Sequence, residues 1–155
     1  MSAWALLGRL IYRTAGVIAL PVLLNGSSRV RVAIVDPEKC TILLSKSWIS
    51  NQKWELIGGG VKNSEGKLDA VKREASEEAS VTLDTSMLKF IDRSTVKDYF
   101  ATYTADTYFV AMPEKPLVKA KLELLDLAWF SLDDLPESIS SHAMKIIKSK
   151  LHKQG

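Results

Sequence analysis

The chain has 155 residues, 46% of them hydrophobic and 25% charged, with a formal net charge of +3. That length suits one domain with a single good core, and that composition excludes gross disorder. The charge is too small to indicate nucleic acid: Lys145, Lys148, Lys150 and Lys153 read as a solvated helix face, and no specific nucleic-acid binding is expected. The single cysteine, Cys40, excludes an intrachain disulfide, and its place in an apolar strand pattern reads as core.

Residues 3–24 are almost wholly apolar, broken by Arg9, Arg13 and Pro21. A spanning helix needs about 20 apolar residues. Each arginine near its centre would cost roughly 2.5–3.5 kcal/mol, so a membrane span is not expected. The first residues lack lysine and arginine, and no Ala-x-Ala site follows Leu24, so a secretory signal is not expected either. Trp4, Leu7 and Ile11 form a helical stripe, which predicts an extra apolar N-terminal helix. It would pack on the domain or on a second copy of the chain as a homodimer; peripheral contact with a membrane surface is the other reading. Asn25-Gly26-Ser27-Ser28 is a turn and marks a boundary, giving residues 1–24 as an extension and 25–155 as the domain.

From Arg29 the chain alternates, with Val30, Val32 and Ile34 against Arg31, Ala33 and Val35, and reads as a strand. Asp36-Pro37-Glu38-Lys39 turns it, and 40–44 returns as the second arm of a hairpin. Residues 46–52 read as a polar loop carrying Trp48, and 54–57 as a short strand ending at Gly58-Gly59-Gly60. Leu68, Val71, Ala75 and Ala79 fall at helical spacing. Two longer strands are expected over 88–96 and 102–112, and another over 124–130. A helical turn is expected over 131–136, and an amphipathic helix over 138–151 through Ile139, Ala143, Ile147 and Leu151. Strands interrupted by one helix and closed by another imply a mixed sheet sandwiched between helices.

The charges on the central helix carry the chemistry. Glu74, Glu77 and Glu78 stand at i, i+3 and i+4 and share one face, about a third of a turn from the apolar stripe. Like charges at this spacing cost a few tenths of a kcal/mol per pair. Three converging carboxylates suit a hard divalent cation, which takes oxygen ligands. The plain alternative is a solvated acidic helix face.

The wider pattern resembles the Nudix box. Gly59, five residues, Glu65, seven residues, then Arg73-Glu74-Ala75-Ser76-Glu77-Glu78-Ala79-Ser80-Val81 stand in its register. Ser80 replaces the box's last glycine, Ala75 is small for its aliphatic position, and Ile57 stands where many members carry proline. The resemblance implies a Nudix-like α/β/α sandwich with a mixed β-sheet. It also implies a hydrolase that cleaves a phosphoanhydride bond of a nucleoside diphosphate linked to another group, with Mg2+ or Mn2+ as cofactor.

By the same resemblance, Glu77 and Glu78 are the main metal ligands, Glu74 is a ligand or the base, and the Gly59 carbonyl is a further ligand. Arg73 would hold the helix carboxylates in position, and Glu65 would brace the loop or reach metal through water. The base stays open among Glu74, Glu123 and Asp126. Lys46 is a candidate phosphate contact. Tyr99, with Phe100 and Tyr103, is a candidate stacking residue for a base. A tyrosine about this far past the box resembles one in some dinucleoside polyphosphate hydrolases, whereas the proline that marks ADP-ribose hydrolases is missing at Val96 and Lys97. A cytoplasmic enzyme is expected, with contact at a membrane surface as the variant of that expectation. The alternative function is a catalytically silent Nudix-like domain that binds a nucleotide or a partner.

Overall fold

The computed structural model describes residues 26–47, 52–97, 101–113 and 124–151. The proposed N-terminal helix, Trp48, Tyr99, Phe100 and Glu123 lie outside the described residues.

The hairpin forms as the alternation predicts. β1 (Ser28–Asp36) and β2 (Thr41–Ser47) pair antiparallel at their turn, with Val35 opposite Ile42. Asp36 makes the turn, because its carboxylate accepts from the backbone N–H of Glu38 (3.1 Å) and of Lys39 (3.2 Å). Cys40 closes that turn at φ 50° and is exposed, so it is not a core residue. Its apolar neighbours belong to the strand that starts one residue later.

β2 then leaves β1 and pairs along its length with β6 (Leu124–Ser131). On its other edge it takes β3 (Trp54–Leu56), with Leu44 opposite Leu56. The chain after β3 crosses over to β1. The Val32 N–H donates to the Ile57 carbonyl (2.8 Å), the Val30 N–H to Gly59 (2.9 Å), and the Val61 N–H to Ser28 (3.0 Å). The opposite edge of β1 pairs in parallel with β5 (Thr102–Ala111), which pairs antiparallel with β4 (Lys89–Lys97). The sheet is therefore mixed.

Two helices cover its two faces. α1 (Lys67–Ala79) packs Ala70, Val71, Ala75 and Ala79 on Val30, Val32, Ile34 and Val110. Three of those four helix residues are alanine, which lets the helix backbone lie close to the sheet. Leu68, counted in the apolar stripe from its spacing, is 39% exposed, and Ala70 takes its place. On the other face α2 (Ser141–Ile146), continued by a π turn Ile147–Leu151, packs Ala143, Ile146 and Ile147 on Ala33, Val35, Ile42 and Leu44. α2 starts later than its periodicity suggests. Ile139 pairs with Trp54 in a parallel bridge, and Ser140 caps the helix by accepting from the Ala143 N–H (3.0 Å). The helical turn expected over 131–136 is a bend, held by the Ser131 hydroxyl and carbonyl accepting from the N–H groups of Asp133 and Asp134. No helix among the described residues is long and apolar enough to cross a membrane.

α1 ends in a left-handed residue. Ser80 has φ 58° and ψ 27°; its N–H reaches the Ser76 carbonyl (3.2 Å), and the Val81 N–H reaches Ala75 (3.1 Å). Val81 is buried beneath this cap. The turn that glycine would make is thus made by serine.

Candidate active site

α1 and the crossing segment meet at Gly58–Gly60. Gly58 has φ 144°, and a Cβ there would strike the β1 backbone, 2.9 Å from the Arg31 Cα. A Cβ on Gly59 would lie 2.6 Å from the Glu74 carboxyl carbon and 2.7 Å from its Oε2. Glycine at these positions brings bare backbone against β1 on one side and against a carboxylate on the other.

The three helix glutamates differ in environment. The Glu77 side chain is 56% exposed and that of Glu74 only 12%. Glu78 is mostly buried and accepts from the Gly58 N–H at 3.0 Å. Burial pushes its pKa up to about 7. The Gly58 N–H and the charges of Arg31 and Arg29 oppose that rise, while the neighbouring Glu74 charge adds to it.

Arg73 ties the group together. Its Nε and Nη2 donate to the two Glu65 oxygens at 2.7 and 2.9 Å, Nη1 to Glu74 at 2.7 Å and to Glu77 at 3.1 Å, and Nη2 also to the Gly60 carbonyl at 2.9 Å. Glu65 in turn accepts from the Lys62 N–H (2.9 Å), which closes the loop before the helix. The Arg73 guanidinium, and then the Lys62 N–H, pull the Glu65 carboxyl down to about 2. Arg73 engages Glu74 and Glu77 together, and no three acidic or imidazole groups among the described residues meet at one cation-sized point.

The donor chemistry nonetheless fits a divalent cation. Glu74 lies against the Gly59 backbone, and its charge adds to the burial that makes ionised Glu78 costly. Hard carboxylate and carbonyl oxygens are what Mg2+ or Mn2+ takes as ligands. The Gly59 carbonyl already accepts the Val30 N–H and keeps one lone pair.

The other sequence candidates are dispersed. Lys46 lies on β2 with its Nζ 4.8 Å from the centre of the Trp54 ring, on the α2 side of the sheet. Asp126 stands opposite it on β6 and accepts from the Leu127 N–H at 2.9 Å. Glu123 and Tyr99 are outside the described residues.

A buried polar group behind the glycines has no counterpart in the sequence reading. Arg31, 8% exposed, donates from Nη1 to the Gly58 carbonyl. Glu55, 7% exposed, accepts from the Ser140 hydroxyl (2.7 Å) and the Leu56 N–H (2.8 Å), with His142 Nδ1 at 3.6 Å. Burial opposes the charge on Glu55, but His142, Arg31 and Ser140 outweigh it and hold its carboxyl below the ordinary range. Gly58 is thus gripped from both sides, its N–H by Glu78 and its carbonyl by Arg31. One signal was present: Ala33 and Val35 continue the Arg31 face as apolar residues, so that face is covered as well.

The model of the NUDIX domain matches residues 27–150. A search of curated proteins returned no match. Solved structures do match. A MutT NUDIX hydrolase from Burkholderia pseudomallei is 23% identical, with a TM-score of 0.71, over 81% of this chain and 98% of that one. The E. coli dihydroneopterin triphosphate pyrophosphohydrolase is 16% identical, with a TM-score of 0.67, over 83% and 99%. A bifunctional NMN adenylyltransferase/ADP ribose pyrophosphatase from Francisella tularensis, complexed with AMP and a manganese ion, is 18% identical, with a TM-score of 0.70, over 94% of this chain and 48% of that one. At these identities the structures establish a shared fold. The domain match spans most of the chain, and the glycine turn, Arg73 and the helix glutamates stand where its box requires: the chain belongs to the Nudix family.

Proposed function

We propose that this Nudix-type pyrophosphohydrolase is dependent on a divalent metal and hydrolyses the phosphoanhydride of a nucleoside diphosphate linked to another group. The observation that carries the reading is the desolvated Glu78 carboxylate beside Glu74 and the Gly58–Gly59 backbone. The triphosphate pyrophosphohydrolase and the ADP ribose pyrophosphatase among the solved structures support the substrate class.

Glu74, Glu77 and Glu78 would hold the cation with the Gly59 carbonyl. When bound, Mg2+ or Mn2+ supplies charge neutralisation of the phosphate oxygens and a lowered pKa for a coordinated water. Arg73 is the positioning residue, since its fork fixes Glu74 and Glu77 and ties the helix to Gly60. Glu65 braces the loop through Lys62. Water attacks one phosphorus, the bridging P–O bond breaks with its oxygen leaving on the other phosphate, and the water's proton passes to a base, for which Glu74, Glu123 and Asp126 are the candidates. Residues 25–155 carry this domain and residues 1–24 an appended segment, as the composition suggests.

A screen of nucleoside diphosphate derivatives with magnesium and manganese tests the activity. Glu77→Gln and Glu78→Gln should each lower turnover by roughly two orders of magnitude or more. Wild-type rates in both variants would sink the metal assignment. Nucleotide binding without turnover in the wild type would establish a silent binding domain instead.

A further inference from the structure

Arg29 is a charged side chain set beside the glycine turn, and it makes no direct ion pair with a carboxylate among the described residues. It begins the inner part of β1, and its Cα is the bridge partner of Gly60. Its guanidinium carbon lies 5.2 Å from the centre of the Tyr103 ring, a contact that holds one face of the group. Its Nε is buried and has no hydrogen-bond partner among the described residues. Two residues on, and so on the same strand face, the Nε of Arg31 is likewise buried and unpartnered, although its Nη1 is engaged by Gly58. Burial, and then the charge of Arg31, push the Arg29 pKa down to about 10, while Glu74 and Glu78 act in the opposite direction. Burial opposes the charge on Arg31 too, but Glu55 and Glu78 favour it, so the uncompensated desolvation cost falls on Arg29. A buried, unpartnered donor of that kind is satisfied by an anion.

The carboxylates alone make an unfit receptor for a diphosphate, because both are negative. A cation held by them would neutralise part of the substrate's charge, and Arg29, beside the same glycine turn, would add a positive group for the rest. A planar guanidinium matches two phosphate oxygens at once, which a lysine cannot do. We propose that Arg29, backed by Arg31, is an anion subsite that takes a phosphate group of the substrate's diphosphate. This inference rests on the pyrophosphohydrolase reading and adds a residue that touches substrate. It also predicts selectivity for ligands with two linked phosphates over those with one.

The test is calorimetric titration of inorganic pyrophosphate into wild type, Arg29→Gln and Arg29→Lys, once with magnesium and once with chelator. Magnesium alone is titrated in parallel. Pyrophosphate affinity should fall at least about tenfold in Arg29→Gln and by less in Arg29→Lys, with magnesium affinity unchanged. Should Arg29→Gln fail to fold, Arg29→Lys, which keeps the charge, gives the comparison. Equal pyrophosphate affinity in all three proteins would overturn the subsite, as would a parallel loss of magnesium and pyrophosphate binding. A wild type that ignores magnesium but binds pyrophosphate through Arg29 would sink the metal reading and leave the subsite standing.

Discussion

Ser80→Gly should stabilise the protein without touching a ligand. Ser80 holds φ 58° and ψ 27°, a conformation in which Cβ crowds the following carbonyl. That crowding costs roughly 1–2 kcal/mol for a residue with a side chain. Glycine removes it but loses more backbone freedom on folding, about 0.5–1 kcal/mol. The difference centres on a gain of about 0.75 kcal/mol, since both cap hydrogen bonds are made by backbone and survive the change. For a chain of this size such a gain raises Tm by roughly 1–4 °C. The assay is urea denaturation alongside thermal melting, read as a higher midpoint at unchanged slope. Ser80→Ala is the control: alanine keeps Cβ and should gain nothing. Equal gains from glycine and alanine would refute the conformational account. So would a loss of stability in Ser80→Gly, which would mean that the serine side chain holds the cap together.

Three further outcomes follow from the site and its surroundings. Asp106 is buried at 2% exposure and accepts from Arg93 (2.6 and 2.8 Å) and Lys67 (2.6 Å), and Arg93 above all holds its carboxyl below the ordinary 3.8. Its folded pKa is depressed, so its contribution is present above the unfolded pKa of about 3.9 and is lost as pH falls through the lower folded value. Asp106→Asn should therefore melt below wild type at pH 7, and the gap should narrow on acidification below about pH 4; a constant gap would contradict the ion-pair reading. Gly59→Ala should force the Glu74 carboxylate out of place, so its melting temperature should no longer rise with added magnesium; a wild-type rise would show that this close approach is not needed. Cys40 should react with a thiol reagent in the native protein as fast as in urea, because it is exposed on its turn. Protection in the native state would restore the core reading.

The sequence carried the architecture wherever one period dominated. The alternation of Val30, Val32 and Ile34 and the spacing of Val71, Ala75 and Ala79 gave β1 and α1, since burial of one face leaves its period in the chain. It misled where a residue's neighbours belonged to a different element. Cys40 borders an apolar strand yet closes a turn, and Leu68 keeps helical phase yet precedes the part of α1 that meets the sheet. Ile139 also keeps phase with α2, but its backbone pairs with Trp54 before the helix begins. The box residues were legible because their spacing is local. Arg29, Arg31, Glu55 and His142 were not, because β1, β3 and α2 bring them together across more than a hundred positions of chain. Nor could the spacing of Glu74, Glu77 and Glu78 show that Arg73 would engage two of them.

The segment from Trp54 to Val61 begins as a partner of β2 and ends as a partner of β1. It is a stitch that closes the seam where those two strands part. The glycines that face the glutamates are therefore sewn into the load path of the sheet, not hung from it. A lid or a surface loop can fray while the rest of a domain stays intact, but this turn cannot open unless the seam does. Heating should therefore extinguish the chemistry and the fold together.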